Sequence, residues 1–196
     1  FFFKQKTASE IVMCLEFRRV LFRSAVSGDG SRVVFAAATG LVAGLEPRAI
    51  AVAARDLVPG STIAVSRPAG AAPFRNQGGT ASGGSASADG RFVAFSSDAS
   101  GLGAPATAGA SVFVRDTVTG AAVLASREDG PDGAPLRGES VQAHLSGDGR
   151  RVAFHVKARD EFDVIGEGEH ERVIVTWDKF ISRVNDKAKR ARVAGL

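Results

Sequence analysis

The sequence predicts an all-β chain built from a repeated four-stranded antiparallel unit. Three observations predict it. A Ser-x-Asp-Gly motif followed by alternating apolar residues occurs three times, its Asp-Gly pairs 60 and then 59 residues apart. A second marker recurs at an offset of 60: Arg55-Asp56 with Arg115-Asp116, Gly60 with Gly120, and Ser66-Arg67 with Ser126-Arg127. Finally, Gly, Ala and Ser are abundant and Tyr is absent, so the core depends on Val, Phe and Leu and the chain turns often.

The opening stretch, residues 1–24, stands apart from the repeat. It carries five Lys or Arg and two acidic residues, with the only Cys (Cys14) and the only Met (Met13). As a signal peptide it fails on length and flanks, because its longest apolar run, Ile11 to Leu15, ends at Glu16 and is followed by Arg18, Arg19 and Arg23. An amphipathic surface helix is a second reading, although Lys, Arg and Phe do not segregate cleanly at helical spacing. Leu15 to Ser24 is the peptide that CTG GAG TTC AGA CGT GTG CTC TTC CGA TCT would encode, a string that resembles a short-read sequencing adaptor. Phe3 to Ala8 fits the matching amplification primer, TTC AAG CAG AAG ACG GCA. Residues 1–24 are therefore expected to be adaptor-derived, with the native chain starting near Ala25 and its own N-terminus missing.

The repeat follows, over 25–156. Its copies are Ser27 to Phe35, Ser87 to Phe95 and Ser146 to Phe154. Asp29-Gly30, Asp89-Gly90 and Asp148-Gly149 suit tight hairpin turns, since Gly accepts positive φ and Asp can bond the turn's own backbone. After each turn, Val33 and Phe35, Val93 and Phe95, and Val152 and Phe154 share one strand face, while Val34, Ala94 and Ala153 point the other way. One face is bulky and the other small, as in a sheet held between two neighbouring sheets. A second hairpin pairs Val112–Val114 with Ala121–Ala125, and Ile50–Ala54 with Thr62–Val65. The segment before each Asp-Gly adds a strand, clearest at Ser140 to Leu145. The Ser-rich run Ser82 to Ser87 reads as a flexible approach to a strand, and Gly70 to Gly84 and Glu128 to Gly138 as long loops.

Four-stranded units in tandem are the mark of β-propeller blades. The repeat resembles the bacterial TolB-like propeller family, related to the WD-repeat families, over roughly 25–155 with a weaker echo to 178. That resemblance implies a partial propeller of two blades and the start of a third. It further implies a non-catalytic binding or scaffold role with a protein or peptide partner, and a periplasmic or extracellular setting. Closed propellers hold about 4–8 blades. The missing blades of the full-length chain are then expected partners too, and marginal stability is expected without them. The alternative implied by the same resemblance is the propeller domain of a larger secreted hydrolase or peptidase whose catalytic domain is missing.

The tail, 157–196, changes character. Residues 25–155 contain eleven Arg, eleven acidic residues and no Lys, whereas Lys returns at 157, 179, 187 and 189. Val173 to Val175 is expected to be the third strand of the third blade, with Trp177-Asp178 in the place of Arg115-Asp116. Trp177, Phe180, Ile181, Val184 and Ala188 then recur at helical spacing, predicting an amphipathic helix over 177–193 that packs on the last strands. A second join or a frameshift is the other reading of this tail.

The candidate chemistry is sparse. The neutral charge of 25–155 argues against nucleic acid as a partner, leaving only Lys187 to Arg192 as a basic patch. One Cys excludes an internal disulfide, and no apolar run is long enough to span a membrane. There is no Gly-x-Ser-x-Gly elbow, P-loop or His-Glu-x-x-His motif. No catalytic residue, metal ligand or cofactor is therefore expected, and the singled-out residues Asp29, Gly30, Asp89, Gly90, Asp148 and Gly149 are read as a turn motif. His144 and His155 read as ordinary strand residues, and Glu167, Glu169, His170 and Glu171 as a polar loop with at most a weak cation site.

Overall fold

A computed structural model describes residues 24–37, 50–68, 79–99, 101–102, 109–129, 133–174, 182 and 184–190. Its strands are β1 (Ala25–Val26), β2 (Arg32–Ala37), β3 (Ala51–Asp56), β4 (Thr62–Ala64), β5 (Ala81–Ala86), β6 (Phe92–Ser97), β7 (Ser111–Asp116), β8 (Ala122–Leu124), β9 (Glu139–Leu145), β10 (Arg151–Arg159) and β11 (Val164–Val173). They form three antiparallel sheets in chain order, β1-β2-β3-β4, β5-β6-β7-β8 and β9-β10-β11. Each sheet is one blade, and consecutive blades pack face to face. The chain is thus an all-β partial propeller, with one described helix, α1, over 184–190. The opening 1–23 and the marker Trp177-Asp178 lie outside the described residues.

The stacking follows from the two-residue period of the strands. The bulky face of blade 2, with Val93, Phe95 and Phe113, packs on the small face of blade 1, with Val34, Val52 and Ala54. The same step is repeated one blade on: Val152 and Phe154 of blade 3 meet Ala94, Val112 and Val114 of blade 2. The Phe95 and Phe113 rings stack with centroids 5.7 Å apart. A fully buried Val or Phe contributes about 1.5–3 kcal/mol, so these two seams carry most of the apolar stabilisation.

Two expectations need correction. The run Ser82 to Ser87 is no approach to a strand: residues up to Ala86 are the innermost strand β5. Gly and Ser disfavour strands intrinsically, but here packing decides. A Cβ on Gly84 would lie 2.6 Å from Val34 Cγ1, so only glycine lets blade 2 approach blade 1 this closely. Gly83, at φ 70°, sits in a register shift between Ser82 and Ser85 that aims the strand.

The second correction concerns blade 3. Its third strand is Val164–Val173, not Val173 to Val175. In blades 1 and 2 the second and third strands are joined by long connections, residues 38–50 and 98–110. In blade 3, β10 and β11 are joined by the four residues 160–163. Asp160 closes that turn by accepting from the amides of Phe162 (2.8 Å) and Asp163 (2.7 Å). The strand therefore arrives early, and Glu167 to Glu171 lie on it rather than in a loop. The helix α1 lies within the expected span 177–193; its described residues are exposed, Val184 at 45%, and Trp177, Phe180 and Ile181 of its apolar face lie outside the described residues.

Candidate functional site

The six residues of the turn motif occupy equivalent places. Gly30, Gly90 and Gly149 have φ of 71°, 68° and 69°, the left-handed region open to glycine at little cost. Each glycine amide donates to the serine carbonyl three residues back, at 2.9 Å. The aspartate accepts from the serine hydroxyl two residues before it, at 2.6, 2.5 and 2.6 Å for Asp29, Asp89 and Asp148. It also accepts from the amide two residues after it, at 2.9, 3.0 and 3.1 Å. These bonds favour the ionised carboxylate. The Ser27 hydroxyl foremost holds Asp29 down at about 2, and Asp89 and Asp148 are lowered in the same way.

The serine is the part that the sequence reading left without a role. Ser27, Ser87 and Ser146 accept at Oγ from the amides of Arg32, Phe92 and Arg151, at 3.0, 2.9 and 2.9 Å. Each hydroxyl proton goes to the aspartate, so these serines clamp the turn and are not poised as nucleophiles. The turns also join the blades. Asp29 N–H donates to the Ala88 carbonyl (2.9 Å), and Ala88 N–H to that of Gly147 (2.7 Å).

The second marker has an equally physical basis. Ser66 and Ser126, both buried, accept at Oγ from the amides of Val52 and Val112, each at 2.9 Å. Arg115 is 3% exposed and spans the first seam. Its guanidinium donates to the carbonyls of Val65 (2.9 Å), Gly120 (2.5 Å) and Arg67. Burial lowers its pKa from the ordinary guanidinium value, and the carbonyls compensate the buried charge. Asp116, largely buried, pairs with Arg91 at 2.6 Å, which holds the carboxyl down at about 2. Blade 1 has the corresponding pair Arg32–Asp56, at 2.6 Å. Arg32 also reaches into blade 2, donating to Gly90 O (2.7 Å) and Thr117 Oγ1 (2.5 Å).

Blade 3 fills the arginine position with Arg172. Arg55 pairs with Val33, Arg115 with Val93 and Arg172 with Val152, so the register identifies Arg172 as the counterpart. It donates to the Arg127 carbonyl (2.9 Å) and to Asp129. Its Nε is buried without a partner. Sequence alignment could not find Arg172, because the short 160–163 turn breaks the 60-residue period.

On the outer side of blade 3 lies a cleft of about 440 Å³, lined among others by His144, Asp148, Arg151, Ala153 and Glu171. Glu167, Glu169 and Glu171 share its face, while His170 points to the opposite face and stacks on Phe154 at 6.0 Å. Arg151 pairs with Glu171 (3.2 Å) and Lys157 with Glu167 (3.5 Å). Among the described residues no three His, Cys, Asp or Glu side chains converge as metal ligands would. His144 and His155 sit on β9 and β10, in register with Ala153 and Val141. No helix among the described residues is long and apolar enough to cross a membrane.

Comparisons with known proteins find two kinds of likeness, one over a short segment and one over most of the chain. Residues 136–178 match the family model for fluoroacetyl-CoA-specific thioesterase. The fluoroacetyl-CoA thioesterase of Streptantibioticus cattleyicolor is 43% identical over 49 residues, 24% of this chain and 35% of that protein. The chain thus spans about a third of this curated relative. Among solved structures, TolB from Acinetobacter baumannii aligns with 80% of this chain and 31% of its own, at 16% identity and a TM-score of 0.48. The tricorn protease aligns with 76% of this chain and 13% of its own, at 12% identity and 0.43. The β-propeller domain of the Trilobed protease from Pyrococcus furiosus aligns with 75% and 41%, at 14% identity and 0.40.

Proposed function

We propose that the chain acts as a non-catalytic propeller segment that scaffolds or binds a protein or peptide, in a periplasmic or extracellular setting. One observation carries this reading. The groups that recur with the repeat, Ser27, Ser87, Ser146, their aspartates and Arg115, are all consumed in turn and seam bonds. Chemistry of this kind builds a frame. Assay of the purified chain against acyl-CoA thioesters, nitrophenyl esters and unfolded peptides is expected to give background rates. Turnover abolished by a substitution in the described residues overturns the non-catalytic reading. Retention of a defined peptide from a displayed library by the folded chain, lost on thermal unfolding, supports the binding role, and retention of none counts against it.

A second reading rests on the match over 136–178. In it, that segment is part of a fluoroacetyl-CoA thioesterase, joined to two propeller blades. Fluoroacetyl-CoA hydrolysis by the full chain favours it.

A further inference from the structure

The outer face of blade 3 differs in kind from the same face of blades 1 and 2. On blade 1 that face carries Val34 opposite Ala54 and Ala36 opposite Val52. On blade 2 it carries Ala94 opposite Val114 and Ser96 opposite Val112. These residues are buried, and the next blade's Val and Phe side chains cover them. On blade 3 the equivalent pairs are Ala153 with Glu171 and His155 with Glu169, followed by Lys157 with Glu167.

Relative to blade 2, valine is replaced by glutamate at both central positions of the third strand, and relative to blade 1, alanine and valine are. The glutamates face a basic strand, which makes a cross-strand ladder of ion pairs, Arg151–Glu171 and Lys157–Glu167. Glu171 is 57% exposed and Glu167 58%. The opposite face of the same hairpin is apolar where it meets blade 2, at Val152 and Phe154. Blade 3 therefore has one face made for a neighbour and one made for water.

We propose that blade 3 terminates the stack. Its outer face is a solvated ion ladder on which the Ser-x-Asp-Gly blade of a second copy does not seat. Docking one would strip water from Glu169 and Glu171 against Val and Phe side chains that offer no hydrogen bonds. Terminal units with a polar outer face are what stacked repeats need for solubility.

The test uses the full chain and a Glu169→Val/Glu171→Val variant, which restores the valines of blade 2. Hydrogen exchange over 151–157 and 167–171 is followed across about two decades of protein concentration. The wild type is expected to show no concentration dependence there. The variant is expected to gain at least about tenfold protection at the same amides as the face self-associates. Concentration-dependent protection in the wild type overturns the proposal, as does a folded variant that gains none. Protection at Val152 reports folding. If the valine variant fails to fold, Glu169→Gln/Glu171→Gln takes its place and is read in the same way, with a smaller expected gain.

Discussion

Blade 2 and blade 3 use the same turn, the same alternation and an arginine at the same register position, yet only blade 2 is built to be enclosed. Its strands β6 and β7 are six residues each and apolar on both faces. Strands β10 and β11 run nine and ten residues; β10 is apolar on its inner face, whereas β11 sets Gly168, His170 and Arg172 on that face and Glu167, Glu169 and Glu171 on the outer one. Arg115 has three carbonyls around it and is almost wholly buried, whereas Arg172 has one carbonyl, the exposed Asp129 and an unpaired Nε. The difference teaches that a blade's place in a stack is set by its outer face, while the Ser-x-Asp-Gly turn fixes only that a blade forms.

Core truncations probe this contrast most strongly. Phe95→Ala is expected to cost about 4 kcal/mol, because the ring is fully buried and stacks on Phe113. Phe154→Ala is expected to cost nearer about 3 kcal/mol, since its stacking partner His170 is exposed. Urea unfolding midpoints measure both, and equal losses would break the distinction between an enclosed and a terminal blade.

The arginines come next. Arg115→Ala leaves the Val65 and Arg67 carbonyls without this donor and is expected to cost about 3 kcal/mol, against about 1 kcal/mol for Arg172→Ala. A reversed order would show that the second seam, not the first, depends on its arginine.

The turn glycines sharpen the same comparison at a smaller scale. Gly30→Ala meets nothing within 4 Å and is expected to cost only the left-handed backbone penalty, about 1 kcal/mol. Gly149→Ala would place Cβ 2.5 Å from Phe92 Cδ2, so it is expected to lose about 1–2 kcal/mol more. Similar losses would mean that Phe92 swings aside and the second seam is loose.

Acid provides the smallest effect. Asp116 has its carboxyl held down at about 2 by Arg91, below the ordinary 3.8. A depressed folded-state pKa stabilises the protein above the unfolded value, so the contribution is complete above about pH 5 and lost as pH falls toward 2. In blade 3, Val173 stands where blade 2 has Asp116. Asp116→Asn is expected to flatten the acid limb of stability against pH, measured by thermal unfolding between about pH 5 and pH 2. An unchanged limb would assign the acid sensitivity to Asp29, Asp89 and Asp148, whose carboxyls are lowered in the same direction.

The turns and the six apolar residues following them were legible because their cause is local. Gly30, Gly90 and Gly149 are needed for positive φ, and alternation assigns Val93 and Phe95 to one face without knowledge of any neighbour. The strand β5 was not legible, because Gly83 and Gly84 weaken a strand in isolation and are required only by the approach of Val34. Arg172 and the glutamates of β11 were misplaced for a related reason. A hidden change in connection length, long in blades 1 and 2 and short in blade 3, shifts every later residue relative to the repeat.

By itself the sequence determined the unit: a serine-clamped Asp-Gly turn, a two-faced strand after it and a second hairpin, each set by backbone sterics and a two-residue period. Tertiary structure alone decided how the units use those faces. It chose which face is buried, gave Arg115 its carbonyls across the seam, and turned Glu167, Glu169 and Glu171 outward to water. Those outcomes depend on residues about 50–60 positions away, brought into contact only when the blades stack.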